Sequence, residues 1–256
     1  MDSLTISWLD ALERRHLADL TMSEVARALR ALSSCYVERR ARLAEGGALS
    51  SAGKRAAFAL YYGPQHLLVT RKILMALPPA TEQITEVLDL GCGTGAAGAA
   101  WALAAGTRSI RGFDRHPWAI AEASWTYRQF HLHSRVIQSN IAAPGNRRTA
   151  VTARRGTAVL AAYAANELAP DARARLLTSL LEAHAQGGRV LVVEPIARRL
   201  TRGLAPWWEG WQIAVERAGG SADEWRFPAD LPPTQLALAR AAGLDPRELT
   251  ARSLFL

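Results

Sequence analysis

Over residues 1 to about 80, apolar positions recur at three- and four-residue spacing with no strand pattern, which predicts helices. Trp8, Leu9, Leu12 and Leu17 share one helical face. Thr21-Met-Ser-Glu24 reads as a capping box opening a second helix, whose stripe Val25, Leu29, Leu32 and Tyr36 continues to a stop at Gly46-Gly47. A third helix is predicted from about Ala52 to Tyr61, then a break at Gly63-Pro64. The restart carries Pro64 in its first turn and Leu67, Leu68, Ile73 and Leu74 on its apolar positions, up to Pro78-Pro79.

Beyond Glu86 short apolar runs alternate with helical stretches. Glu86 to Leu90, Ser109 to Phe113, Arg135 to Gln138, Thr157 to Tyr163 and Arg189 to Glu194 read as strands, with helices from Pro117 to about Phe130 and from Pro170 to Gly187 among the connections. Strands separated by helices predict a parallel sheet covered on both faces, with ligands at the C-terminal strand ends. The remainder predicts a helix from Pro206 to near Gly219-Gly220, a short strand or loop at Glu224 to Phe227, a helix from Thr234 to Ala242 and a last strand from Leu249 to Leu256. The division expected is a helical cap over residues 1–80 and an α/β core over residues 81–256.

The first strand runs into Asp89-Leu-Gly-Cys-Gly-Thr-Gly95 and then into alanine-rich helix material. Gly91, Gly93 and Gly95 admit close approaches that a Cβ would block, so the turn can press its backbone against a ligand. At a dinucleotide site such a turn hands a pyrophosphate to a helix N-terminus, where the Asp89 carboxylate would cost electrostatic energy. A cation suits that carboxylate better, and S-adenosylmethionine carries an amino group and a sulfonium but no phosphate. The stretch resembles the glycine-rich motif of class I S-adenosylmethionine-dependent methyltransferases. Gly91-x-Gly93-x-x-Ala96 also satisfies the looser dinucleotide pattern, which keeps a nicotinamide-binding fold as the alternative.

The resemblance implies a Rossmann-like, seven-stranded, mostly parallel sheet with helices on both faces, and S-adenosylmethionine as cofactor. Asp89, Gly91, Cys92, Gly93 and Gly95 would then hold the methionine moiety. Asp114, at the end of the second strand and about 20 residues past the glycines, is placed to accept both ribose hydroxyls, with Arg115 beside it. Asn140 and Ile141 follow the third strand, where class I enzymes recognise adenine; Asn140 can pair with an adenine edge.

Methyl transfer from a sulfonium needs alignment, exclusion of water and, for some acceptors, removal of a proton. The acceptor is expected at the end of the fourth strand, in Tyr163-Ala-Ala-Asn-Glu-Leu168, with Glu194 at the next strand end. Tyr163, Asn166, Glu167, Glu194 and His66 are the candidate catalytic residues, and Tyr163 is expected to touch the cofactor as well. Tyr61-Tyr-Gly-Pro-Gln-His66 sets aromatic, amide and imidazole groups at the helix interruption. Tyr62 and His66 read as acceptor-binding there, and a packed Tyr pair at a kink accounts for the same residues. Trp207, Trp208 and Trp211 read as helix packing, or Trp207 and Trp208 as a stacking platform for a base or aromatic substrate.

Absences narrow the acceptor. No Asn/Asp-Pro-Pro-aromatic motif follows the fourth strand, so the usual arrangement for methylating an exocyclic base amine is missing. No cysteine lies in the fourth or fifth strand regions to attack a pyrimidine ring. His116, His131 and His133 lack matching carboxylate spacing, so no metal is expected.

The net charge of +8 favours polyanions such as RNA through counterion release. Yet 29 of the 31 basic residues are arginine, with pairs such as Arg14-Arg15 and Arg154-Arg155 scattered along the chain, and solvated helix faces account for most such pairs. Residues 142–156 form a basic loop that either touches phosphates or is simply solvated. No apolar run reaches about 18 residues and no signal-peptide pattern opens the chain, so neither a membrane span nor secretion is expected. The two cysteines fit a reducing cytoplasm.

The order of the pieces also resembles a narrower family, the bacterial and mitochondrial methyltransferase-like proteins associated with small-ribosomal-subunit assembly. The residues that carry it are Gly63-Pro64, Asp89 to Gly95, Tyr163 to Leu168, Val193-Glu194-Pro195 and Glu224-Trp-Arg-Phe227. It implies RNA or the small ribosomal subunit as a partner, with a non-catalytic assembly factor as a further outcome; the aromatic tail and the helical lid support the alternative, a small metabolite or natural product as acceptor. That family's C-terminal cysteines, suited to an iron–sulfur cluster, have no counterpart after Cys92. A cluster is therefore not inherited.

Overall fold

The computed structural model describes residues 1–38, 49–141, 153–196 and 206–256. The Gly46-Gly47 stop and most of the basic stretch 142–156 lie outside the described residues.

The amphipathic N-terminal segment forms α1 (Ser3–His16) and α2 (Met22–Glu38). Asp2 caps α1 by accepting from the Thr5 amide at 2.9 Å. The capping box of α2 is formed in both directions: the Thr21 amide donates to Glu24 Oε2 at 2.8 Å and the Glu24 amide to Thr21 Oγ1 at 3.3 Å. Trp8, Leu9, Leu12, Val25, Leu29 and Leu32 are buried as their stripes require.

The expected break at Gly63-Pro64 is instead a continuous helix with one widened turn. Helix α3 (Ala52–Ala57) passes through a π turn at Phe58–Tyr62, where the Gly63 amide bonds the Phe58 carbonyl five residues back, into α4 (Gly63–Ala76). Pro64 has no N–H for the Leu60 carbonyl, and its ring would clash with that carbonyl in a regular α turn. Buried Gln235 supplies the missing donor, its Nε2 lying 2.9 Å from the Leu60 oxygen.

The alternating segment forms, in chain order, β1 (Glu86–Leu90), α5 (Ala96–Ala104), β2 (Ser109–Asp114), α6 (Pro117–Gln129), β3 (His133–Gln138), β4 (Thr157–Ala162), α7 (Pro170–Ala185), β5 (Arg189–Glu194), α8 (Pro206–Arg217), β6 (Ser221–Pro228), α9 (Pro233–Ala241) and β7 (Glu248–Phe255). The seven strands are ordered β3-β2-β1-β4-β5-β7-β6. The first five run parallel, and β7 is antiparallel to both β5 and β6. Glu224 to Phe227 lies within an eight-residue strand, longer than the short strand or loop read there, because β7 pairs along its whole length.

Alternation along β1 divides the core. Val87 faces a cluster containing Trp8, Leu29, Leu60, Ala99, Trp101, Tyr127 and Leu238, so the N-terminal helices share their core with this side of the sheet. Leu88 and Leu90 face the other cluster, with Val159, Leu176, Leu180, Val192, Trp208, Trp211 and Leu254. Fully buried Glu122 of α6 ties α1 down, its carboxylate lying 2.8 Å from His16 Nε2 and 3.2 Å from Arg15 Nε. Among the described residues, no helix is long and apolar enough to cross a membrane.

Candidate active site

The strand order reverses between β1 and β4, and the crevice above that switch point is where open α/β sheets bind ligands. A cleft of about 460 Å³ occupies it, within the range of small-molecule sites. The glycine turn forms its floor. Gly91, Gly93 and Gly95 have φ of 72°, 52° and 77°, values that side-chain-bearing residues rarely adopt. A Cβ on Gly91 would also lie 2.7 Å from the Ala164 Cβ.

Two carboxylates converge on this turn. Asp114 Oδ2 accepts from the Gly93 amide at 3.0 Å and Oδ1 from the His116 amide at 2.9 Å, so Asp114 shapes the turn it is expected to work beside. Asp89 lies beneath, 1% exposed, with the Tyr127 hydroxyl donating to its Oδ2 at 2.8 Å. Burial raises the Asp89 carboxyl to about 7; the Tyr127 hydroxyl and the Gly98 amide oppose the rise and the charge of Asp114 adds to it. Gly98 has to be glycine, because a Cβ there would come 2.2 Å from Asp89 Oδ2.

Arg115, Asn140, Ile141, Tyr62, His66, Tyr163, Asn166 and Glu167 all line the cleft, with Glu167 close enough to Arg115 and Asp114 to feel their charges. The π turn presses onto the floor, with Phe58 Cε1 placed 3.7 Å from where a Gly93 Cβ would be. The His66 and Tyr163 rings stack at 4.0 Å with 13° between their planes. Burial holds the imidazole down to about 3, so His66 is neutral, and pushes the Tyr163 phenol up. Tyr163 itself has φ 58°, which ends β4 one residue earlier than the hydrophobic run suggests and swings its ring into the cleft.

Glu194 is fully buried behind the cleft. Its carboxylate accepts from the Asn166 amide at 3.1 Å and from the Asn166 side-chain amide, fixing the Ala165–Glu167 turn. Burial raises Glu194 to about 7 against the lowering by Asn166 and Arg252. Burial also raises Glu167 to about 7, opposed by Arg115 and assisted by the charges of Glu194 and Asp114.

The structure thus brings together on one cleft every site residue read from the sequence except Gly95, Glu194, Trp207 and Trp208. Gly95 caps α5 behind the turn. Trp207 and Trp208 do not line the cleft; they pack edge-on to each other at 5.5 Å and under the guanidinium groups of Arg173 and Arg252. Tyr127, Phe58 and Arg173 escaped the sequence reading. Gly98, a glycine inside an alanine helix, was a visible signal of close approach. Among the described residues no group of three or more His, Cys, Asp or Glu is arranged to hold a metal.

The methyltransferase small domain family model matches residues 68–151, which contain the glycine turn, Asp114 and Asn140. No curated protein matches the chain. Among solved structures, an O-methyltransferase family protein from Burkholderia thailandensis aligns with a TM-score of 0.52 at 14% identity, over 82% of this chain and 61% of that one. The plantazolicin methyltransferase BpumL aligns at 0.49 and 12% identity, over 91% and 96% of the two chains. The methyltransferase domain of a bacterial CtHen1 aligns at 0.48 and 14%, over 75% and 98%. With its β3-β2-β1-β4-β5-β7-β6 order and antiparallel β7, the chain has the fold of the class I S-adenosylmethionine-dependent methyltransferases.

Proposed function

We propose that the protein is an S-adenosylmethionine-dependent methyltransferase. The carrying observation is the pair of carboxylates, Asp89 and Asp114, at the glycine turn: they disfavour the pyrophosphate of a dinucleotide and suit a cationic methyl donor. The cradle fits such a ligand, since Gly91 and Gly93 line a cleft of nucleoside size without side chains to fill it. Asp89 and the Gly91 to Gly95 backbone, with Cys92, would hold the methionine moiety, Asp114 and Arg115 the ribose, and Asn140 and Ile141 the adenine. When bound, the cofactor supplies an electrophilic methyl group.

Tyr163, His66 and Tyr62 enclose the acceptor and exclude water; Glu167 takes its proton, suited to that by a carboxyl raised to about 7. Asn166 and Glu194 hold the turn that presents Glu167. Ribosomal or other RNA is the acceptor favoured by the +8 charge and the assembly-family resemblance, with a cytoplasmic setting. The stacked His66–Tyr163 pair specifically favours a second reading, a small aromatic metabolite or natural product. Transfer of labelled methyl groups into fractionated cell extract tests these readings. Label in RNA or in the small-molecule fraction separates the two acceptors, and no label in any fraction leaves a non-catalytic assembly scaffold.

A further inference from the structure

Helix α8 does not reach the cleft, yet its tryptophans connect to the turn that carries Glu167. That turn, Ala165–Glu167, is too short to hold itself: it has one turn of 3₁₀ bonding and begins two residues after Tyr163, whose φ is positive. Arg173, from the first turns of α7, spans both of its ends. Its Nε donates to the Ala165 carbonyl at 3.0 Å and its Nη2 to the Leu168 carbonyl at 2.6 Å. The Arg173 guanidinium lies 4.4 Å from the centroid of the Trp207 ring, and Trp207 is in turn wedged edge-on between Trp208 and Trp211 at 5.5 and 5.2 Å. Arg252 of β7 stacks on Trp208 at 4.1 Å and stands in register opposite Glu194, the group that holds Asn166.

We propose that Trp207 and Arg173 are positioning residues: Trp207 fixes the Arg173 guanidinium, and Arg173 clamps the Ala165–Glu167 turn so that Glu167 faces the cleft. A planar guanidinium is the side chain that can bond two carbonyls along one edge while offering its face to an indole ring. The turn is then gripped from two sides, by Glu194 through its N–H groups and by Arg173 through its carbonyls. This assigns the three-tryptophan helix a role in the site without substrate contact. The proposal rests on Glu167 being the proton-accepting group, but the clamp itself can be tested without a methyl acceptor.

The experiment is peptide-resolved hydrogen exchange on the full chain, comparing wild type with Trp207→Leu, Trp207→Phe and Arg173→Ala. The expected result is faster exchange in residues 163–169 for Trp207→Leu and Arg173→Ala, about fivefold or more, with residues 86–104 unchanged and Trp207→Phe close to wild type. The midpoint of the Glu167 carboxyl, followed by ¹³C NMR, should move in the same two variants and return in Trp207→Phe. Faster exchange throughout the sheet, or an unchanged 163–169 segment in Arg173→Ala, would overturn the clamp. Arg173→Ala removes no core side chain, so it decides the matter even where Trp207→Leu fails to fold. Titration of the same proteins with S-adenosylhomocysteine keeps the two ideas apart: absent binding in wild type defeats the methyl-donor reading, while the exchange result stands on its own.

Discussion

The Tyr127 hydroxyl donates to Asp89 Oδ2 at 2.8 Å in the buried layer beneath the glycine turn. This bond favours the charged form of a carboxyl that burial holds up to about 7, and so sets how readily the turn can meet a cation. Tyr127→Phe should weaken S-adenosylhomocysteine binding by roughly tenfold and destabilise the fold by about 1–3 kcal/mol, since a buried acceptor loses its donor. Calorimetric titration and urea unfolding measure the two effects.

Ligand affinity should depend on pH. A cationic amino group near Asp89 prefers the carboxylate, so binding below about pH 7 must release a proton from Asp89. S-adenosylmethionine affinity is expected to rise from pH 6 to about 7.5 and to fall again above about pH 8, where the free ligand's amino group loses its proton, with a binding heat that varies with the buffer's ionisation enthalpy. A flat profile contradicts this placement of the charge.

Stability of the ligand-free protein should run the other way. Glu194 titrates at about 7 in the folded chain against an ordinary 4.5. As pH rises from about 4.5 to 7 the unfolded chain releases this proton and the folded chain keeps it, so folding becomes less favourable across that window and constant above it. The melting temperature of wild type relative to Glu194→Gln should therefore fall from pH 4.5 to 7.

Gly98→Ala places a methyl 2.2 Å from Asp89 Oδ2 in the first turn of α5. Helix propensity would improve by up to about 1 kcal/mol, but the clash is expected to dominate, for a net loss of about 1–3 kcal/mol and loss of ligand binding. A more stable variant that binds normally would contradict the packing described.

Glu122→Ala leaves the His16 ring beside an empty buried site and leaves Arg15 only its stacking on Trp125. Losing a buried carboxylate that accepts from both side chains should cost about 1–3 kcal/mol, and α1 should detach first. Faster exchange in residues 3–16 ahead of the sheet reads this directly.

Most of the sheet was legible because its strands are short apolar runs between helix caps, and the floor of the cleft because three glycines and Asp89 sit at fixed spacing within seven residues. Asp114 and Glu167 followed from the rule that ligands gather at strand ends. What stayed hidden depends on long-range contacts. Tyr127 reaches Asp89 from 38 residues away, and Gln235 satisfies Leu60 across 175 residues, which is why Pro64 widens the helix rather than breaking it. Trp207 and Trp208 carry no local mark that separates a stacking platform from a support for Arg173 and Arg252; only the partners on the neighbouring elements decide.

The most direct measurement is calorimetric titration of the folded protein with S-adenosylhomocysteine, wild type against Asp114→Ala. The account expects one saturable site in wild type, and binding at least about a hundredfold weaker in the variant, which loses the bond to Gly93 and with it the proposed ribose contacts. No heat of binding in the folded wild type, or equal binding in Asp114→Ala, would contradict it.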